Sequence, residues 1–123
     1  MRKREYETYM VSEEWICRKT AYFARHPKIC HGCGDKVNIH LHHHTYERVG
    51  GTELDDDLVP LCETCHALVH RYYSIGGKNL SVCTLEVIAY LNGESTGYRS
   101  HRVGQRVQKA IAISAPSRSV PVP

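Results

Sequence analysis

Apolar positions along this chain fall into short, separated sets, each with its own period. Trp15, Ile16, Tyr22 and Phe23 recur at helical spacing and form one apolar stripe. Ser12 stands ahead of them where an N-cap belongs, Glu13 and Glu14 fill the first turn, and Val11 is placed to pack on Ile16 as a hydrophobic staple. His26-Pro27 ends that helix. Val37-Asn38-Ile39-His40-Leu41-His42 alternates apolar and polar residues, which predicts a half-buried strand with Val37, Ile39 and Leu41 inward. Leu58-Val59-Pro60-Leu61 is a short apolar return, and Pro60 marks a sheet edge. From about Glu63 a helix carries Cys65, His66, Leu68, Val69, His70 and Tyr72. Ser81 to Leu91 reads as a further helix, stopped by Asn92-Gly93. Residues 1–10 show no clear period. The pattern predicts an α+β fold whose centre is strand, loop, strand, helix.

Composition adds a constraint. A chain of 123 residues fits one domain, and a single Trp and a single Phe make its core modest, so a structural metal is a reasonable staple. No secretory hydrophobic segment follows Met1-Arg2-Lys3-Arg4, and no apolar run is long enough for a bilayer, so the expectation is a soluble, unexported chain with no membrane partner. In reducing cytosol, CxxC pairs are metal sites more often than disulfides.

Net charge is only +3, but it is unevenly spread. Residues 1–29 hold seven Lys/Arg against four Glu, residues 30–70 two against seven acidic groups, and residues 98–123 five against none. An acidic, histidine-rich centre between basic arms suits a cation in the middle and a polyanion around it. Arg99, Arg102, Arg106 and Lys109 are spaced three to four apart, so a helix aligns them as a candidate phosphate-contacting arm, with a solvated face as the equal alternative. Arg48 reads as a further candidate for a phosphate. Ser114 to Pro123, rich in Ser, Pro and Val, reads as a disordered tail.

The candidate chemistry lies between Cys30 and His70. Cys30-His31-Gly32-Cys33 and Cys62-Glu63-Thr64-Cys65 are two knuckles, each aiming two thiolates at one ion. The spacing assigns Cys30, Cys33, Cys62 and Cys65 to one structural Zn²⁺, with a pair of redox dithiols as the weaker alternative. Cys17 has no nearby partner and reads as a buried structural thiol. His66 and His70 are spaced i, i+4, so both imidazoles stand on one helical face in chelating geometry. His42, His43 and His44 close the predicted strand, and His40 and His44 read as surface polar groups. Adjacent residues of a regular strand point to opposite faces, so His42 and His43 reach one substrate only at a strand end or distorted turn.

The run LHHHTYERVGG…LDDDLVPLCETCHALVH, with the SEEW helix and the CHGCG knuckle before it, resembles the HNH endonucleases of the four-cysteine subgroup. The resemblance covers about residues 9–72 and implies a ββα-metal (His-Me finger) core that hydrolyses phosphodiester bonds in DNA. It makes His42 a ligand of the catalytic cation, His43 the general base and Asp57 the counterpart of the family's middle Asn. It places His66 at the final His, with His70 a further ligand. The sequence departs from the family in having a histidine triplet, and Asp for Asn. The catalytic cation is then Mg²⁺, Mn²⁺, Ni²⁺ or Zn²⁺; three imidazoles suit a borderline ion, with Asp55, Asp56 or Asp57 as possible oxygen donors. The implied organisation is a nuclease domain over 1–73, a helical extension over 74–113 and a tail over 114–123. By family analogy the setting is the cytoplasm of a bacterium or a phage-encoded system, with a homodimer or a larger phage or mobile-element machine as the assemblies it admits. The competing reading is a zinc-stapled DNA-binding accessory module without turnover.

Overall fold

The computed structural model describes residues 2–77, 79–93 and 100–114. Seven regular elements follow in order: α1 (Lys3–Met10), α2 (Glu13–Arg25), β1 (Ile39–His43), β2 (Leu58–Cys62), α3 (Glu63–Ser74), α4 (Leu80–Leu91) and α5 (Ser100–Ser114). β1 and β2 form an antiparallel ribbon in which Ile39 lies opposite Cys62 and His43 opposite Leu58. The fold is α+β, with helices on both faces of this ribbon.

Side-chain alternation assigns the two faces. Leu41 and Leu58 pack with Tyr9, Trp15 and Tyr22 from α1 and α2. Val59 and Leu61 pack with Leu68, Val69 and Tyr72 of α3, Cys83 and Val87 of α4, and Val107 and Ala110 of α5. That second core therefore runs without a break from the ribbon into the C-terminal helices. Pro60 is tolerated because each strand of a two-stranded ribbon keeps one unpaired edge, and its carbonyl accepts from the His31 amide at 2.9 Å. Among the described residues no helix is long and apolar enough to cross a membrane.

Several local expectations change. Residues 3–10 form a helix although only Tyr9 is buried in it, which is why no apolar period reveals it. The Val11–Ile16 staple does not form, since Val11 is 82% and Ile16 53% exposed. Ser12 makes the junction instead: its Oγ accepts from the Trp15 amide at 3.2 Å and donates to the Tyr9 carbonyl at 2.6 Å, tying α1 to α2. Val37 is exposed, and the strand begins only at Ile39, because Asn38 takes a left-handed conformation with φ 55°. Cys17 is exposed rather than buried. Residues 115–123, where the disordered tail is expected, and Arg99 lie outside the described residues.

Candidate active site

The two cysteine knuckles come together. Cys30, Cys33, Cys62 and Cys65 place their sulfurs within 4.8 Å of one another, close enough to bind one zinc ion. Cys30, Cys62 and Cys65 are buried while Cys33 is exposed. Backbone amides already point at the sulfurs: Gly32 N–H donates to Cys30 Sγ at 3.2 Å and Cys65 N–H to Cys62 Sγ at 3.4 Å. Burial pushes the Cys30 thiol up, and amide donors on its sulfur outweigh that push and bring it down to about 7. The first knuckle needs its glycines for different reasons. Gly34 supplies φ +82°, whereas a Cβ at Gly32 would stand 3.0 Å from Leu91 Cδ1 and 3.1 Å from Cys65 Sγ. Cys62 is at once the last residue of β2, a cluster member and the N-cap of α3.

A second cluster lies at the other end of β1. His42, His66 and His70 bring ring nitrogens within 4.8 Å of one another. His42 is 2% exposed and its Nε2 lies 3.0 Å from Thr84 Oγ1. The Thr84 hydroxyl sits 2.8 Å from the Leu80 carbonyl, which can only accept. Both contacts are hydrogen bonds only if Thr84 donates to Leu80 and accepts from His42 Nε2–H, which leaves Nδ1 of His42 with its lone pair. Burial, then the neighbouring His66 and His70, pushes His42 down to about 2; burial, then His70 and His40, pushes His66 down to about 4. Burial lowers His70 as well. All three are therefore neutral near pH 7, the state a metal ligand requires.

His43, the next residue, turns to the opposite face. Its Nε2 lies 2.8 Å from Glu53 Oε2, Trp15 stacks on its ring at 4.7 Å between centroids, and Tyr6 meets it edge-on at 5.9 Å. Its Nδ1 is buried and has no hydrogen-bond partner among the described residues. Burial lowers the His43 ring against the upward pull of Glu53, and it too is neutral. The two adjacent histidines nevertheless share one cavity of about 540 Å³. Its lining takes in every residue of β1, together with Trp15, His66 and His70. The other edge of β1 is paired to β2, so the cavity runs along the unpaired edge and is reached from both faces. The opposed directions of a regular strand are thus reconciled by the open edge rather than by a distorted turn.

The acidic turn plays a different part. Asp57 receives a two-pronged contact from Arg48, Nε to Oδ2 at 2.7 Å and Nη2 to Oδ1 at 2.6 Å, and the Leu54 amide donates to Oδ2 at 2.9 Å. The Arg48 guanidinium holds the Asp57 carboxyl below the usual range. Asp57 therefore anchors the loop and does not line the cavity. Asp55 is engaged by Arg18, Arg25 and His26. Neither carboxylate is among the groups gathered at the histidines. Arg106 lies over the Tyr72 ring at 4.6 Å, and Lys109 is exposed on α5, which also carries Arg102. His40 is exposed with its ring 5.3 Å from that of His66. His44 is half-buried rather than a free surface group, bridging Ser81 Oγ at 2.9 Å and the Asp56 carbonyl at 2.5 Å. Glu53 and Thr84 carry no local signal in the sequence. One follows a Gly-Gly-Thr loop and the other is inside an apolar helix, and only the tertiary fold brings them to the histidines.

Residues 30–71 match the model of the HNH endonuclease family. The matched segment contains both knuckles, His42, His43, Asp57, His66 and His70, so the geometry just described falls within the part of the chain that is similar to that family. α1, α2 and the whole chain beyond α3 lie outside it, and with them Trp15 and Thr84. No curated protein and no solved structure matches the chain.

Proposed function

We propose that the protein is a metal-dependent endonuclease that hydrolyses phosphodiester bonds in DNA, with His43 as general base and His42, His66 and His70 as ligands of one divalent cation. The observation that carries this reading is the shared cavity. The three histidines of a neutral cluster and His43, whose Nδ1 is buried without a partner, line the same cavity. A module that only bound DNA would have no use for that nitrogen, since leaving a buried polar atom unpaired costs about 1–3 kcal/mol.

The roles follow from the donor set. His42, His66 and His70 would hold the cation, which would supply positive charge to offset the negative charge building on the phosphate and the departing 3′ oxygen. His43 takes a proton from the attacking water; the water oxygen forms the new bond to phosphorus as the bond to the 3′ oxygen breaks, and that oxygen leaves with the electron pair. Lys19 and Tyr6 also line the cavity, where the Lys19 ammonium offers a positive charge to a phosphate. Asp57 keeps the loop between the strands in place through Arg48. The four cysteines hold a structural zinc at the start of α3, one residue before His66.

Nicking of supercoiled plasmid tests the reading. Because Asp55 and Asp57 are committed elsewhere, the nitrogen-only site is expected to work better with Ni²⁺ or Zn²⁺ than with Mg²⁺ or Mn²⁺. Absence of nicking with every one of these ions would leave the DNA-binding module as the better account. The Thr84 contact gives a separate expectation. Thr84→Val removes the acceptor of His42 Nε2–H and should weaken Ni²⁺ binding about 10- to 100-fold by calorimetric titration, with the cysteine-bound zinc retained. Unchanged Ni²⁺ affinity would take Thr84 out of the site.

A further inference from the structure

Glu53 is a carboxylate buried at 5% exposure, yet nothing in the proposed chemistry so far uses it. Its carboxylate oxygens have three polar partners. Tyr9 Oη donates to Oε1 at 3.0 Å, the Gly51 amide to Oε1 at 3.0 Å, and His43 Nε2 lies 2.8 Å from Oε2. Arg18 Nε donates to the Glu53 main-chain carbonyl at 2.9 Å and fixes the backbone. Burial pushes the Glu53 carboxyl up, but the donors reverse this and leave it below its ordinary value, so it is ionised. An ionised carboxylate only accepts, and the proton of the contact therefore belongs to His43 Nε2.

We propose that Glu53 is the positioning residue of His43, fixing the ring in the Nε2–H tautomer so that Nδ1 is the basic nitrogen. The assignment rests on the nuclease reading for its consequence, though not for its geometry. Glu53 locks one ring edge, Trp15 stacks on the face, and the remaining nitrogen is the one left without a partner. α1 and α2 then have a task beyond packing: Tyr9 holds the carboxylate that holds the base, and Arg18 holds the backbone of the same residue.

The test uses the zinc-loaded full chain and two readouts. Long-range proton–nitrogen NMR of the imidazoles is expected to show His43 as Nε2–H. Finding Nδ1–H in the wild type would overturn the assignment. In Glu53→Gln the amide can donate to Nε2 and trap the opposite tautomer, so His43 should move to Nδ1–H. With that shift, kcat for plasmid nicking should fall by at least about 10²-fold, by analogy with the loss when an Asp that orients a catalytic His becomes Asn, while KM and zinc content stay as in wild type. Wild-type kcat in Glu53→Gln would sink the positioning role. Tyr9→Phe, which keeps the His43 contact, should lose far less activity. A wild type that nicks nothing would refute the nuclease reading alone, because the NMR result still decides the tautomer.

Discussion

Cys62→Ser is expected to abolish the cooperative thermal transition of the zinc-loaded protein. Structural zinc in small domains contributes an apparent binding free energy of about 10–16 kcal/mol, comparable with or larger than the total stability of a typical domain, about 5–15 kcal/mol. Here the consequence is amplified by position. Cys30, Cys62 and Cys65 belong to the same buried cluster as Val59, Leu61 and Val69, so an ion lost from them is lost from the core. Residues 27–38 contain no helix or strand, and their knuckle is held to β2 chiefly through the cysteines and the His31–Pro60 hydrogen bond. Ser keeps the cap on α3 but replaces a thiolate by a poor zinc ligand. Circular dichroism melts should lose their sigmoid, and the three remaining cluster cysteines should react with a thiol reagent under native conditions. A melt unchanged from wild type, with zinc still bound, would mean that the four-cysteine cluster is not the staple.

His43→Ala is expected to lower the rate of plasmid nicking by about 10²–10⁴-fold, the usual contribution of a positioned general base. Stability should change much less than activity, yet not by zero. The ring fills space against Trp15, and its removal leaves Glu53 with one donor fewer. Cation binding by His42, His66 and His70 should survive, since those rings lie across the strand. Measuring nicking, melting temperature and Ni²⁺ affinity on the same preparation separates the two adjacent histidines. Full activity in this variant would remove His43 from the chemistry.

Much of this arrangement is legible along the chain. The knuckle spacing, the i, i+4 histidines and the alternation over residues 39–42 are local patterns, and local patterns survive folding. Ser12 and Pro27 mark the ends of α2 for the same reason, since caps and chain-breaking residues act on their own neighbours. What is not legible depends on distant partners. α1 is a polar segment stabilised by Tyr9 reaching Glu53, 44 residues away in the chain. Glu53 and Thr84 sit in unremarkable local contexts and become important only against a histidine. Asp57 is identifiable as a special position, but its two-pronged engagement by Arg48 requires the loop conformation. Val11 and Ile16 have the right spacing for a staple and lack a surface to meet.

The ribbon register has a consequence for how this site can vary. His42 pairs with Val59 and His43 with Leu58, and side chains alternate faces strictly along a strand. A slip of one residue would carry the present ligand to the Glu53 side and the present base to the cation side. Burial of Leu41 and Leu58 on one face and of Val59 and Leu61 on the other opposes that slip, and the hydrogen bond from the His44 amide to the Asp57 carbonyl continues the same register into the mouth of the loop. Two chemically identical side chains thus acquire different duties from a parity rule. Change in the loop between the strands is therefore tolerated only where it keeps this register and leaves Glu53 and the Arg48–Asp57 pair in place.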